Sequence, residues 1–189
     1  MRTIKITAGM LLIATGLAFG QTATKPADAP KPRVLLITGR DVPAHNWRET
    51  TPVLREHLEK NDAFEVMVCE EPLILESATA LKSYDGILMN YYNWQNTPIT
   101  EQARSNLLEF VRGGKGLVCF HFSTRAWVGA WSEYPDLVGR VWITGSGHGP
   151  RGPFKVKVTD KSHPITEGIG DFEADDELYA KLEGSAPIH

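Results

Sequence analysis

Apolar residues recur along this chain with two periods, and their alternation predicts strand, helix, strand, repeated three times. Arg33-Val-Leu-Leu-Ile-Thr38 is a short apolar run closed by Gly39, the pattern of a buried strand. After the loop Arg40 to Arg48, Thr51 before Pro52 reads as an N-cap with proline in the first turn. It opens a helix with Leu54 and Leu58 on one face. Asn61-Asp62 closes that helix, and Phe64-Glu-Val-Met-Val-Cys69 is the second strand. A short helix near Ser77 to Lys82 precedes the third strand, Tyr84-Asp-Gly-Ile-Leu-Met-Asn90. The clearest helix has Thr100 as its cap and Glu101 in its first turn, where a carboxylate suits the helix dipole. Ala103, Leu107, Phe110 and Val111 follow at helical spacing up to Gly113-Gly114, and Leu117 to His121 is the fourth strand. Short links between such elements require parallel strands joined by crossover helices, so the pattern predicts an α/β fold with helices on both faces of a parallel sheet.

Beyond Thr124 the periodicity loosens into a Trp/Gly-rich section, Trp127 to Gly152. A section that long, carrying Trp127, Trp131, Tyr134 and Trp142, is expected to be ordered and functional. Phe154-Lys-Val-Lys-Val158 alternates and reads as a strand with one wet face, a candidate antiparallel edge of the sheet. Ala186-Pro-Ile-His189 looks like the start of another strand, so a truncated C-terminus is expected.

The N-terminus changes the picture of where the domain works. Arg2 and Lys5 precede the apolar run Ala8 to Phe19, and Ala18-Phe19-Gly20 supplies small residues for cleavage, the pattern of a secretory signal over residues 1–20. Residues 21–32, QTATKPADAPKP, read as a Pro/Ala-rich linker, leaving 33–189 as the folded domain. A periplasmic or secreted location follows. Removing the signal takes two of the 20 Lys and Arg and none of the 23 Asp and Glu, leaving a formal charge of −5. That balance offers no basic patch for nucleic acid and no polybasic anchor for a membrane. Cys69 and Cys119 both sit in strand-like runs and read as buried free thiols.

Candidate chemistry comes from position. Ligands of parallel α/β sheets bind at the carboxyl ends of the strands, and three groups of residues fall there. His121 ends the fourth strand, His45 lies in the loop after the first, and Tyr91, Tyr92, Asn93 and Trp94 follow the third. His148 lies between glycines in Gly145-Ser-Gly-His-Gly-Pro150, where the backbone can approach a ligand closely. Imidazoles converging on one edge suit either general acid/base work or a divalent metal such as zinc, held by His45, His121 and His148. There is no compact ligand motif such as HExxH. Aromatic faces beside amide and histidine donors are the chemistry of sugar recognition, which makes Tyr92, Asn93, Trp131, His148 and Ser123 candidate substrate contacts. Asp175-Asp176-Glu177 reads as a helix start. His163 before Pro164 reads as a rigid turn, and His57 as a surface residue of the first helix.

The order Gly114-x-Gly116-Leu-Val-x-x-His121, Asp136-Leu-Val-Gly-Arg-Val141, His148-Gly-Pro150, His163-Pro-Ile-Thr-Glu-Gly168 and Asp176-Glu-Leu-Tyr179 resembles the ThuA-like (trehalose-utilisation) family. The resemblance covers essentially the whole chain after residue 32. It implies a flavodoxin-like fold of the class I glutamine-amidotransferase-like superfamily, and a small carbohydrate as the partner. In amidotransferases of that fold the turn after the corresponding strand presents a nucleophilic cysteine. Here that position is His121, with Cys119 two residues back on the strand, about 6.6 Å away. Glutamine hydrolysis is therefore excluded. The resemblance favours Glu177 as a carboxylate partner of His121 and His45. Two functional expectations follow: an exported hydrolase or isomerase acting on a disaccharide, glycoside or keto-sugar derivative, or a non-catalytic carbohydrate-binding or accessory domain that has lost the nucleophile.

Overall fold

Four successive apolar residues, Val34 to Ile37, leave no polar side to face water, and the strand they form, β1 (Arg33–Ile37), is buried accordingly. The computed structural model describes residues 30–93, 99–185 and 187. The expected signal and most of the linker lie outside the described residues. No described helix is long and apolar enough to cross a membrane. β1 pairs in parallel with β2 (Glu65–Cys69) on one side and β3 (Gly86–Met89) on the other, and β3 pairs with β4 (Gly116–Cys119). The order is β2-β1-β3-β4.

Alternate residues of β1 feed two cores, as the strand period demands. Val34 and Leu36, with Val66 and Leu88, pack against Leu54 and Leu58 of α1 (Trp47–Glu59). Leu35 and Ile37, with Ile87 and Met89, join Leu107 and Phe110 of α3 (Glu101–Arg112) on the other face. A short α2 (Ala78–Leu81), capped by Ser77, lies between β2 and β3 in the chain. Helices thus cover both faces, as the periodicity predicts.

Several boundaries differ from expectation for identifiable reasons. Helix α1 begins at Trp47 rather than after Thr51, because the Asn46 side chain accepts from the Arg48 N–H and donates to Glu49. That reciprocal cap leaves Pro52 in the second turn instead of the first. β4 stops at Cys119, and His121 opens a 3₁₀ turn, His121–Arg125. The first part of the Trp-rich section is core: Trp127, Trp131 and Tyr134 are buried, with ring centroids 5.4–6.2 Å apart, and Tyr134 begins α4 (Tyr134–Val138). The alternating segment forms β6 (Gly152–Val156), which pairs antiparallel with β7 (Phe172–Asp176) in a sheet of its own rather than at the edge of the parallel one. Asp175 and Asp176 therefore end a strand and do not start a helix.

Candidate functional site

The order β2-β1-β3-β4 reverses direction between β1 and β3, and in open parallel sheets that reversal opens a crevice at the carboxyl ends. A buried polar set fixes this point. Thr38 and Thr51 share a hydrogen bond of 3.0 Å, and Asn90 Nδ2 donates to Thr50 and Thr51 at 3.0 Å each. These bonds tie the ends of β1 and β3 to α1. The loop above them closes a tight turn, with the His45 N–H donating to the Val42 carbonyl at 2.9 Å. The turn lays the His45 ring flat on Phe122, with centroids 4.4 Å apart and planes within 7°.

His121 reaches the same place by a different local device. Its φ of 47° is left-handed, a conformation costing a non-glycine residue about 1–3 kcal/mol that the surroundings must supply. Ser123 supplies part of it: fully buried, its Oγ donates to the Met89 carbonyl at 2.7 Å and accepts from the Tyr91 N–H at 2.9 Å. Thr124 Oγ1 donates to the His121 carbonyl itself at 3.1 Å. The sharp turn sets the His121 ring edge-on to His45, with centroids 4.8 Å apart and an interplanar angle of 84°.

The opposite wall comes from β5 (Gly147–His148) and β8 (Tyr179–Ala180), an antiparallel ribbon in which His148 stands opposite Tyr179. The Tyr179 hydroxyl lies 2.9 Å from His121 Nε2, and Trp142 meets the Tyr179 ring edge-on at 4.6 Å. Between the walls is a cleft of about 550 Å³. His45, Tyr92, Phe122, Arg125, Trp142, His148, Glu177 and Tyr179 are among its lining residues, and His121 adjoins it through His45, Phe122 and Tyr179.

The electrostatics favour neutral rings. Burial lowers the His121 pKa below its usual 6.5, opposed in part by the carboxylates of Asp176 and Glu177. Burial likewise lowers the His45 pKa, reinforced by the neighbouring His121. The Tyr179 phenol is pushed up to about 12, first by burial and then by Glu177 and Asp176. At neutral pH the 2.9 Å contact therefore joins a protonated phenol to a neutral imidazole.

The expected site residues thus divide. His45 and His121 meet, and Tyr92, His148 and Glu177 line the same cleft, with His148 Nδ1 3.8 Å from Glu177 Oε1. Ser123 and Trp131 do not line it. Ser123 is spent on main-chain bonds between the strand ends, and Trp131 is core. Asn93 is 1% exposed and is not among the lining residues; Trp94 lies outside the described residues. The triple-histidine zinc site also does not fit: among the described residues no three His, Cys, Asp or Glu side chains are gathered to hold a metal ion. His121 Nε2 is occupied by Tyr179, and His148 Nδ1 lies 2.8 Å from the Gly149 carbonyl.

Tyr179, Arg125, Trp142 and Phe122 were not singled out as site residues by sequence reasoning. Tyr179 did carry a signal, as the last residue of Asp176-Glu-Leu-Tyr179.

Cys119 and Cys69 are free thiols. The Cys119 side chain packs against the larger core, its sulfur 3.8 Å from the Tyr134 hydroxyl, and burial pushes its pKa up to about 11. A thiol held protonated is a poor nucleophile. Cys119→Ala is expected to leave ligand binding and any turnover within about twofold while costing about 1 kcal/mol of stability, as small core changes do. Rapid stoichiometric alkylation of Cys119 accompanied by loss of function would contradict this.

Comparison with known proteins agrees with the fold. A ThuA-like protein from Parabacteroides merdae superposes with a TM-score of 0.69 at 23% identity, covering 82% of this chain and 64% of that one. A ThuA-like protein from Bacteroides uniformis gives 0.64 at 22% identity, covering 83% and 64%. The chain thus spans less than two-thirds of the length of these solved proteins, 64% of each, and shares their flavodoxin-like fold. No curated protein matches it. The family model for ThuA, described as trehalose utilisation, matches residues 33–188, so the chain belongs to the ThuA family.

Proposed function

We propose that the protein is an exported enzyme that uses acid/base chemistry on a disaccharide, glycoside or keto-sugar derivative bound in the cleft. The observation that carries this reading is the 2.9 Å contact between the Tyr179 hydroxyl and His121 Nε2. Tyr179 lines the cleft, and His121 adjoins it through His45, Phe122 and Tyr179. A sugar hydroxyl or acidic C–H can pass its proton to the phenol oxygen as the phenol proton moves to His121 Nε2. The reverse transfer returns a proton to the product, so the relay suits hydrolase or isomerase chemistry alike. The rings of Tyr92, Phe122 and Trp142 offer the apolar faces that a sugar's C–H surface covers. Export rests on the basic start and apolar run of residues 1–20.

Turnover of a panel of glycosides and 3-keto-glycosides, measured beside binding titrations of the same compounds, tests the proposal. Tyr179→Phe removes one oxygen and is expected to lower kcat by about 10²–10⁴-fold with the dissociation constant changing only a few-fold. Binding without turnover in the wild type would favour an accessory carbohydrate-binding role. No binding of any member would overturn the carbohydrate reading.

A further inference from the structure

Resting on that carbohydrate reading, we propose that the cleft takes an anionic sugar, with Arg125 receiving its carboxylate. Arg125 ends the 3₁₀ turn that begins at His121, so the same local fold that delivers the imidazole delivers a guanidinium to the cleft wall. The side chain is half-buried and held in place. Its Nε donates to the Tyr92 hydroxyl at 2.9 Å, and Nη1 approaches the Trp142 carbonyl at 3.5 Å. Both partners are neutral oxygens. Among the described residues no carboxylate comes within ion-pair distance of Arg125.

A cation drawn partly out of water without a counter-charge is costly, and cleft cations without a protein carboxylate are suited to a ligand anion. The restraint on Nε and Nη1 leaves Nη2 without a protein hydrogen bond among the described residues. A planar guanidinium fixed at one end matches the flat, two-oxygen geometry of a carboxylate better than an ammonium would.

The rest of the lining gives the ligand a direction. Glu177 lines the same cleft beside His148, where an anion would be repelled, and His45 is held neutral. The acidic group of the ligand is therefore drawn to Arg125, and its hydroxyl groups fall to Tyr179 and Glu177. This polarity selects a uronic-acid-type sugar over a neutral one and fixes which end meets the Tyr179–His121 pair.

Calorimetry on the full chain with three matched ligands tests this: a glucuronide, its methyl ester, and the neutral glucoside of the same aglycone, with a glucose phosphate as a further arm. The glucuronide is expected to bind about 10–100-fold more tightly than the ester or the glucoside, the span of one charge-assisted hydrogen bond. That preference should shrink as ionic strength rises. In Arg125→Gln the ratio of glucuronide to glucoside affinity is expected to fall to about one, and Arg125→Lys to restore only part of it. A preference for the phosphate equal to that for the glucuronide would keep the anion site and widen its ligand to sugar phosphates. Equal wild-type affinity for glucuronide, ester and glucoside would overturn the anion site while leaving the carbohydrate reading standing. Absence of binding by every sugar, acidic or neutral, would overturn both.

Discussion

Replacing His121 with asparagine is expected to lower kcat by about 10²–10⁴-fold on whichever carbohydrate the wild type turns over. Asparagine is the informative substitution because it tolerates left-handed backbone, the φ of 47° that the turn demands, better than most residues. The turn is then retained and only the imidazole is lost. Without Nε2 the Tyr179 phenol has no acceptor for its proton, and with a pKa near 12 it does not give that proton to water at neutral pH. The pH profile separates this role from a packing role. Accepting a proton requires neutral His121, and burial lowers its pKa, so wild-type activity should persist below pH 6.5 and fall only as pH drops through the lowered value. The residual activity of His121→Asn should lack that acid limb. Residual activity that keeps the wild-type limb would assign the titration to another group, with His45 the first to examine.

The parallel sheet and its crossover helices were legible because β1 to β4 are short apolar runs whose period and spacing admit few alternatives. The position of His45, His121 and Tyr92 at one edge followed from each lying in the segment that leaves the carboxyl end of a strand. Other features depended on contacts remote in sequence. Tyr179 reaches His121 from 58 residues away, and only the pairing of β5 with β8 puts it there. Ser123 looked like a ligand contact because it follows His121, yet its hydroxyl is consumed by the backbone of Met89 and Tyr91 on the neighbouring strand. The start of α1 was readable in principle, since Asn46-x-x-Glu49 is a capping pattern. Thr51-Pro52 is a competing start signal, and the bonds of the Asn46 side chain to Arg48 and Glu49 decide in favour of the earlier one. Trp131 shows the limit of composition: aromatic residues in an aperiodic stretch resemble a sugar-binding surface until burial is known.

Trp131→Ala is expected to cost about 3–5 kcal/mol of folding stability, the range for truncating a fully buried tryptophan. Its side chain is 2% exposed and packs on Trp127 and Tyr134, so deletion leaves a void that the surrounding rings cannot close without shifting. The loss also extends beyond stability. Tyr134 donates from its hydroxyl to the Ser123 carbonyl at 2.6 Å, and Ser123 in turn braces the turn that holds His121 left-handed. The aromatic cluster is thus the foundation on which the His121 turn rests, and loosening it should disturb the Tyr179–His121 contact as well as the core. Urea unfolding reads the first effect as a lower midpoint at unchanged slope. Trp142→Ala is the matched control, since Trp142 is only half-buried and lines the cleft, and it should weaken ligand binding while costing far less stability. A stability loss under about 1 kcal/mol for Trp131→Ala, or one no larger than that of Trp142→Ala, would mean that the cluster does not support the site in this way.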